Sequence, residues 1–546
     1  MKEIKKILII RLSSMGDIIL TFPVIETLKD NFPNSEIFYL TKNKYKDLLK
    51  SHLQIDTIIE LHSEGKHKNV FGFLGLIKEL NQHNFDLIID LHSNLRSFFI
   101  RRWVRGGIKI KYNKRSIQRF LMVHFKFLKI KSKRTVDLYL DILKRLKSKV
   151  SPPGWIDAWN RIPKYYLEEK DDIFAQQFLK EKGWKDEILV GMAPGARWET
   201  KIWDKEKFAE TGKILKEKFS AMILLCGDEN DRERIELIRN FIGKDRNIDT
   251  VNLPLDHLAG LIHRCKVFIS NDSGLMHLAS SLGIPTIAIF GPTHPKLGFS
   301  PLGLMDKVLT SNEKCSPCSP HSERKCYKDK RYCMDKILAL DVVEIVERLM
   351  RSQRVVFIDR DGTLVEEKNF LSKVEEVKFI PGSIEAIKTF KDLGYKVVAI
   401  SNQSGIARKI LTEKIVEEIN EYIQSELEKE GAKLDGIYYC PHNPDDNCSC
   451  RKPETGLLKK ASEELNLDLN DAIVIGDKSS DVLLGRKIGA RSILVLTGYG
   501  KEELKKIQSV SKESKFLKPD FVAKDLFSAS LWIKGNSFEK KILEPK

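Results

Sequence analysis

Apolar runs of four or five residues recur along the chain, separated by longer stretches whose apolar positions fall every third or fourth residue. Ile7–Ile10, Ile37–Leu40, Thr57–Glu60 and Leu87–Asp90 read as strands, with helices from about Ile18 and over Val70–His83. Such runs alternating with helical segments predict parallel βαβ units. Pro152-Pro153-Gly154 and the irregular stretch to about Pro163 interrupt the rhythm and read as a linker. A second set of strands follows at 187–192, 221–225, 267–270 and 286–290. The helix Leu340–Arg351 then runs directly into a third set, Val355–Ile358, Val397–Ile400 and Ile473–Ile475. Beyond Asp525 the pattern weakens into a basic tail.

With 546 residues, the chain exceeds what one core usually supports. The pattern divides it at 1–155, 156–352, 353–530 and a tail over 531–546. Two α/β halves joined by a linker predict a ligand cleft between them. Composition changes this picture only through charge and cysteine. The formal net charge is +17, and between Arg101 and Val150 there are 17 Lys or Arg residues against Asp137 and Asp141. Phe120, Phe125 and Phe127 are interleaved there, which suits an anionic lipid surface. A solvated helical face reads the same charge as well. No nucleic-acid recognition module accompanies it, so no nucleic-acid partner is expected. Arg11 and Asp17 come too early for a signal peptide, and no stretch of 18 apolar residues predicts a membrane span. Seven of the nine cysteines fall into two tight clusters, which points to metal sites and a cytoplasmic chain rather than a disulfide framework.

The third segment carries the clearest chemistry. Its first strand ends in Asp359-Arg-Asp361-Gly-Thr363. Two aspartates so placed can meet one phosphate, one as nucleophile and the other as proton donor and later base. The second strand ends in Ser401-Asn402-Gln403, polar groups suited to a phosphoryl group, and Arg451-Lys452 offers two cations to neutralise transferred charge. The third ends at Asp477, with Asp481 four residues on. Asp477, Asp359 and the carbonyl of Asp361 would suit Mg²⁺, which prefers oxygen ligands. In this order the motifs resemble those of the haloacid-dehalogenase-type phosphatases. The resemblance implies Asp359 as nucleophile, Asp361 as acid and base, Ser401 and Lys452 as phosphate ligands and Asp477 as magnesium ligand.

Cys440, His442, Cys448 and Cys450 form a Cys₃His set within eleven residues, with zinc spacing and a structural role. Such a loop, with Phe379–Gly382, Ser401–Ile406 and Cys450–Pro453, resembles the branch holding the D-glycero-D-manno-heptose-1,7-bisphosphate phosphatases and the histidinol-phosphate phosphatases. The chain departs from the heptose branch over Val365–Leu371, where Glu367 and Phe370 stand for an Asp and a Tyr.

Three motifs mark the first two segments. Ser13-Ser-Met-Gly16-Asp17 follows the first strand, with Asp17 either a base facing the cleft or a helix cap. Arg197-Trp-Glu-Thr-Lys201-Ile-Trp203 offers cations and indoles for a diphosphate and a planar ring, although both tryptophans also read as core. Ser270-Asn-Asp272-Ser273-Gly274-Leu275-Met276-His277 places backbone amides at a helix start, suited to an anion. No GxGxxG is present. Together these motifs resemble the ADP-heptose:lipopolysaccharide heptosyltransferases over about residues 5–350. The resemblance implies Asp17 as the base, Lys201 on the diphosphate, Asp272 on the donor heptose, Ser273 to His277 on phosphates and Glu229 on the ribose. Asp90–Arg96 resembles the acceptor-side segment. Cys315, Cys318, Cys326 and Cys333 form a second cysteine set, read as a structural metal site or a reversible disulfide.

The resemblances imply two Rossmann-like halves of GT-B type followed by a Rossmannoid phosphatase with a zinc loop. They further imply Mg²⁺, structural Zn²⁺ and ADP-heptose as donor, a sugar phosphate substrate and a lipid-linked or glycan acceptor. Peripheral contact with the inner membrane is an accompanying expectation. One pathway would unite hydrolysis of the 7-phosphate of heptose 1,7-bisphosphate with inverting transfer of heptose. Two alternatives stand beside it. One is a different phosphatase substrate such as histidinol phosphate, with another nucleotide sugar for the transferase. The other is a membrane-docked scaffold without activity.

Overall fold

The computed structural model describes residues 4–125, 132–150, 162–319, 325–510 and 518–542. Phe127 and the expected linker at Pro152–Gly154 lie outside them. The chain forms two compact units, Met1–Met350 and Arg351–Lys546.

The first unit holds two parallel sheets. One has the order β3-β2-β1-β4-β5, from β1 (Lys6–Ile10), β2 (Glu36–Lys42), β3 (Thr57–Leu61), β4 (Phe85–Asp90) and β5 (Gly106–Lys111). The other has the order β11-β10-β9-β6-β7-β8, from β6 (Leu189–Ala193), β7 (Met222–Leu225), β8 (Asn247–Asp249), β9 (Val267–Asn271), β10 (Thr286–Ile289) and β11 (Lys307–Leu309). Ile7 to Ile10 are all fully buried, as strands covered by helices on both faces require. One contiguous apolar cluster runs from Ile7 and Ile9 through Tyr139 to Leu261 and Phe268, so the two halves share a core. Strands β5, β8 and β11, which the sequence pattern does not announce, lie at or next to sheet edges and are short or polar. The basic stretch after Arg101 therefore contains an edge strand, where alternating lysines are a common device.

The second unit is one parallel sheet of order β14-β13-β12-β15-β16-β17, from β12 (Gln353–Ile358), β13 (Lys396–Asn402), β14 (Gly436–Cys440), β15 (Leu467–Gly476), β16 (Arg491–Val495) and β17 (Phe521–Ala523). The central strand β12 buries Val355, Val356, Phe357 and Ile358, and truncating Phe357 to Ala would cost about 3–5 kcal/mol. The presumed tail is structured. Helix Leu526–Ile542 buries Ala529 and Ile533 in the core, and Trp532 stacks on Phe521 with ring centroids 4.7 Å apart. Its apolar positions are spaced for packing, although its lysines made the segment read as unpatterned.

Candidate functional site

In the second unit, four strand ends deliver side chains to one place. Asp359 follows β12, Ser401 closes β13, Asp477 follows β15, and Lys452 comes from the loop after β14. Lys452 is buried, with Nζ 2.7 Å from Asp359 Oδ1 and 2.7 Å from Asp481 Oδ1. Carboxylate oxygens of Asp359, Asp477 and Asp481 lie within 4.8 Å of one another, all buried. Burial pushes the Asp359 carboxyl up against the opposing pull of Lys452, and burial together with the Asp359 charge pushes Asp477 up. Asp477 Oδ2 accepts from the Tyr499 backbone N–H at 2.8 Å, while Oδ1 is buried without a hydrogen-bond partner among the described residues. Three crowded carboxylates with an orphaned oxygen fit a hard dication. Gly362 has φ of +81°, and a Cβ there would lie 2.3 Å from Asp477 Oδ2, so the turn and the close approach both demand glycine.

Asp361 does not join this acidic cluster with its side chain. It is clamped by Arg360 Nε at 3.1 and 3.2 Å, Arg360 Nη2 at 3.0 Å, Gln403 Nε2 at 2.8 Å and Ser401 Oγ at 3.2 Å. Burial works against its ionisation, but Arg360 and these hydrogen bonds hold its carboxyl below the ordinary value. Asn402 is turned away from phosphate chemistry, its amide bonding the Lys452 backbone N–H at 3.0 Å and carbonyl at 3.2 Å. Arg451 likewise donates to the His442 carbonyl at 3.1 Å. Both fix the loop that aims Lys452. Sequence reading missed Arg360, took Gln403 for a phosphate group rather than a clamp on Asp361, and gave Asp481 no part. The buried Arg between the two aspartates was the available signal. Lys478 pairs with Glu367 at 3.0 Å and Tyr499 bonds Asn369 at 3.1 Å, placing the divergent Val365–Leu371 loop beside the acidic cluster.

The Cys₃His set is assembled. Cys440 Sγ lies 3.5 Å from His442 Nδ1, 3.6 Å from Cys448 Sγ and 3.2 Å from Cys450 Sγ. Cys450 Sγ is 3.2 Å from His442 Nδ1 and 3.5 Å from Cys448 Sγ. A tetrahedron with bonds of about 2.3 Å has edges just under 4 Å, so the set is consistent with a structural metal-binding loop. The second cysteine set differs. Cys315, Cys318, Cys326 and Cys333 line one small cavity, but no three of their sulfurs gather within 4.8 Å. Cys326 and Cys318 instead approach the carbonyls of Lys330 and Pro292, each at 3.7 Å, and no disulfide links the four.

In the first unit, Asp17 sits at the start of helix Met15–Ile19 with Arg11 Nη2 at 2.7 Å, Ser14 Oγ at 2.8 Å and Tyr139 OH at 3.1 Å. Burial opposes its ionisation, yet Arg11 and these bonds bring its pKa down to about 2. Arg11 also donates to the Leu91 carbonyl at 2.6 Å, tying Asp17 to the end of β4. There Asp90 accepts from the His92 and Ser93 amides and from Ser97 Oγ, which shapes the expected acceptor-side segment. Arg11 and Tyr139 were not foreseen, because strand and helix meet them only in the fold. The helix Gly274–Ser281 faces helix Met15–Ile19 from the other half. A Cβ on Gly16 would lie 2.3 Å from His277 Cδ2, and one on Gly274 2.9 Å from Met15 Sδ. Two glycines thus permit the approach that brings Asp17 and the Asp272–His277 turn together.

Lys201 Nζ contacts Asp272 Oδ2 at 2.6 Å, and Thr293 Oγ1 donates to the same oxygen at 2.7 Å. Ser273 begins the helix, Leu275 is half-buried, His277 is buried, and the Met276 side chain belongs to the core. Burial lowers the His277 pKa, which keeps its imidazole neutral. Trp203 is fully buried and donates to the Ile337 carbonyl at 3.0 Å, so it is a core residue. Trp198 is half-buried under Arg197. Glu229 is exposed at the end of β7, two strands from Asp272, and binds Arg232 at 2.7 and 2.9 Å as well as Asn252. A ribose reaching it would displace part of that network.

These two constellations define the class: an α/β unit of GT-B-like fold joined to a haloacid-dehalogenase-like Rossmannoid unit. Residues 73–328 match the family model of glycosyltransferase family 9 (heptosyltransferase), and residues 449–529 match the HAD-hydrolase-like model. The D-glycero-beta-D-manno-heptose-1,7-bisphosphate 7-phosphatase of Pasteurella multocida is 41% identical over 155 residues, 27% of this chain and 83% of that one. The protein of the same name from Helicobacter pylori is 42% identical over 148 residues, 27% of this chain and 86% of its own. A solved glycosyl transferase family 9 structure from Veillonella parvula shares the fold of 64% of this chain and 98% of its own, at TM-score 0.55 and 24% identity. Through its C-terminal unit the chain belongs to the heptose-1,7-bisphosphate 7-phosphatase family, here fused to an N-terminal unit like the family 9 heptosyltransferases.

Proposed function

We propose that the chain is a bifunctional enzyme of heptose metabolism. Its C-terminal unit removes the 7-phosphate of D-glycero-D-manno-heptose 1,7-bisphosphate. Its N-terminal unit transfers heptose from ADP-heptose to a lipopolysaccharide core or related glycan. The observation that carries the first activity is Lys452 bridging Asp359 and Asp481 within a cluster of three buried carboxylates.

An Asp359 oxygen attacks phosphorus and the bond to the C7 oxygen breaks. Asp361, which for this step must carry a proton taken up against the pull of Arg360, gives it to that oxygen, and a monophosphate leaves. Asp361 then takes a proton from water as the water oxygen attacks the aspartyl-phosphate, releasing inorganic phosphate and restoring Asp359. Lys452 and Ser401 hold phosphoryl oxygens, and Arg360 and Gln403 aim Asp361. Asp359, Asp477 and the backbone carbonyl of Asp361, with Asp481 in the same acidic cluster, would hold Mg²⁺, which when bound supplies positive charge to the phosphoryl group. The Cys₃His set would hold a structural Zn²⁺ and so keep Lys452 in place.

In the N-terminal unit, Asp17 takes the proton of an acceptor hydroxyl while that oxygen attacks C1 of the heptose and ADP departs with inversion. Lys201 and the amides at Ser273, Gly274 and Leu275 stabilise the leaving diphosphate, with the helix field favouring it. The close pairing of helices Met15–Ile19 and Gly274–Ser281 supports this reading. The acceptor side also suits an anionic membrane surface. Phe71 is 85% exposed and Leu95 73%, and exposed Phe98 and Trp103 share helix Leu95–Trp103 with Arg101 and Arg102. Among the described residues no helix is long and apolar enough to cross a membrane.

The test is phosphate release by the full chain from heptose 1,7-bisphosphate and histidinol phosphate offered side by side. A marked preference for the heptose, lost in Asp359→Asn, is expected. A preference for histidinol phosphate would overturn the single-pathway reading.

A further inference from the structure

Asp171 lies in the first turn of helix Glu169–Glu181 and is 2% exposed. Its Oδ1 is buried and has no hydrogen-bond partner among the described residues. The lysines nearest in charge are engaged elsewhere, Lys170 with Glu168 and Lys50 with Asp47, each at 2.5 Å. Facing Asp171 is the first turn of helix Leu255–His263, which presents Asp256 and His257. Ligand atoms of the three residues lie within 4.8 Å of one another. The His257 ring is stacked on Phe174, with centroids 3.8 Å apart and planes 17° from parallel, so its direction is set. The helices meet backbone to backbone, since a Cβ on Gly260 would lie 2.3 Å from the Asp171 carbonyl oxygen.

A buried carboxylate oxygen without a donor, beside a second carboxylate, is unfavourable unless something neutralises it. The two helix starts contribute only partial positive charge. A proton would satisfy one oxygen and leave the fixed imidazole without a part. We propose that Asp171, Asp256 and His257 form a divalent cation site that staples helix Glu169–Glu181 to helix Leu255–His263. Two hard oxygens and one imidazole nitrogen suit a first-row transition ion such as Zn²⁺ or Mn²⁺, with water completing the shell. The site is separate from both candidate catalytic centres. It lies just after the segment whose Tyr165 amide binds the Ser281 carbonyl and whose Tyr166 hydroxyl binds Glu26, where the chain passes from one half of the unit to the other. A bound ion there would hold the helix that receives this crossing.

The experiment uses the full-length Asp477→Asn chain, whose acidic phosphatase cluster is broken, with its Cys₃His set filled by Zn²⁺. Mn²⁺ is titrated in and followed by electron paramagnetic resonance. One bound Mn²⁺ per chain, with nitrogen coupling from an imidazole, is expected. Asp171→Asn should weaken binding by about tenfold or more, and His257→Gln should remove the nitrogen coupling. Asp171→Asn is isosteric, and an unchanged circular dichroism spectrum separates ligand loss from misfolding. Equal Mn²⁺ binding in all three proteins, or no bound Mn²⁺ in the parent, would overturn the site.

Discussion

Replacing Lys452 with methionine removes a charge while nearly preserving shape, and its consequences follow from the surrounding distances. Nζ lies 2.7 Å from both Asp359 and Asp481. At an effective dielectric of about 20, each such pair attracts by about 6 kcal/mol before desolvation is counted. Breaking a buried pair from one side typically leaves a net cost of about 3–5 kcal/mol, because the remaining charges stay buried. For a unit of this size that is a loss of about 10 °C in melting temperature. A dication would neutralise the same carboxylates, so Mg²⁺ should recover more stability in Lys452→Met than in the wild type. Turnover should not recover, because the ammonium also faces the charge that develops on the phosphoryl group. A drop of about 10²–10³ in kcat is expected. Calorimetry with and without Mg²⁺ and phosphate release at saturating Mg²⁺ read the two effects separately. Wild-type turnover in the variant, or an unchanged melting temperature without Mg²⁺, would refute the reasoning.

Asp17→Asn should lower heptosyl transfer from ADP-heptose by about 10²–10⁴-fold and leave phosphatase turnover intact, read by separate assays on one preparation. Because the folded pKa of Asp17 is depressed to about 2, its contribution to stability is complete above the unfolded carboxyl range and disappears as pH falls through about 2. Urea midpoints of wild type and Asp17→Asn should therefore differ near neutrality and converge on acidification; a constant gap would rule out the ion pair as the cause. Cys448→Ser, or a strong chelator, should lower the melting temperature of the C-terminal unit together with phosphate release, leaving transfer unaffected. Phe71→Glu with Leu95→Glu should weaken flotation with anionic vesicles without altering transfer to a soluble acceptor, and undiminished flotation would count against that surface.

Some of this protein was decided along the chain. The strands β1, β4, β12 and β15 bury Ile7–Ile10, Leu87–Asp90, Val355–Ile358 and Ala472–Gly476, so their apolar runs could be read without a fold, and the residues at their ends carried the chemistry with them. The Cys₃His set was equally legible, since its four ligands lie within eleven residues and local geometry suffices to gather them. Edge strands such as β5 and β8 were not, because a short strand covered on one side carries little apolar signal. Helix Leu526–Ile542 was missed because burial of Ala529 and Ile533 depends on the helix they pack against.

What only the tertiary structure decided are relations between distant residues. Asp481 enters the acidic cluster from the first turn of helix Ser479–Ile488, where it caps the Lys478 amide and meets Lys452. Arg360 folds back onto Asp361, and Asn402 serves the Lys452 backbone rather than a phosphate. Arg11 reaches Asp17 across a strand end, and Gly16 and Gly274 matter because a histidine and a methionine from the opposite half occupy the space of their absent side chains. The four cysteines from 315 to 333 line one small cavity, and only the fold could bring residues so far apart in sequence to it. A motif fixes which groups a strand end can offer. Only packing fixes which neighbour's charge, donor or bulk each group meets, and those neighbours set its protonation, its aim and its partner.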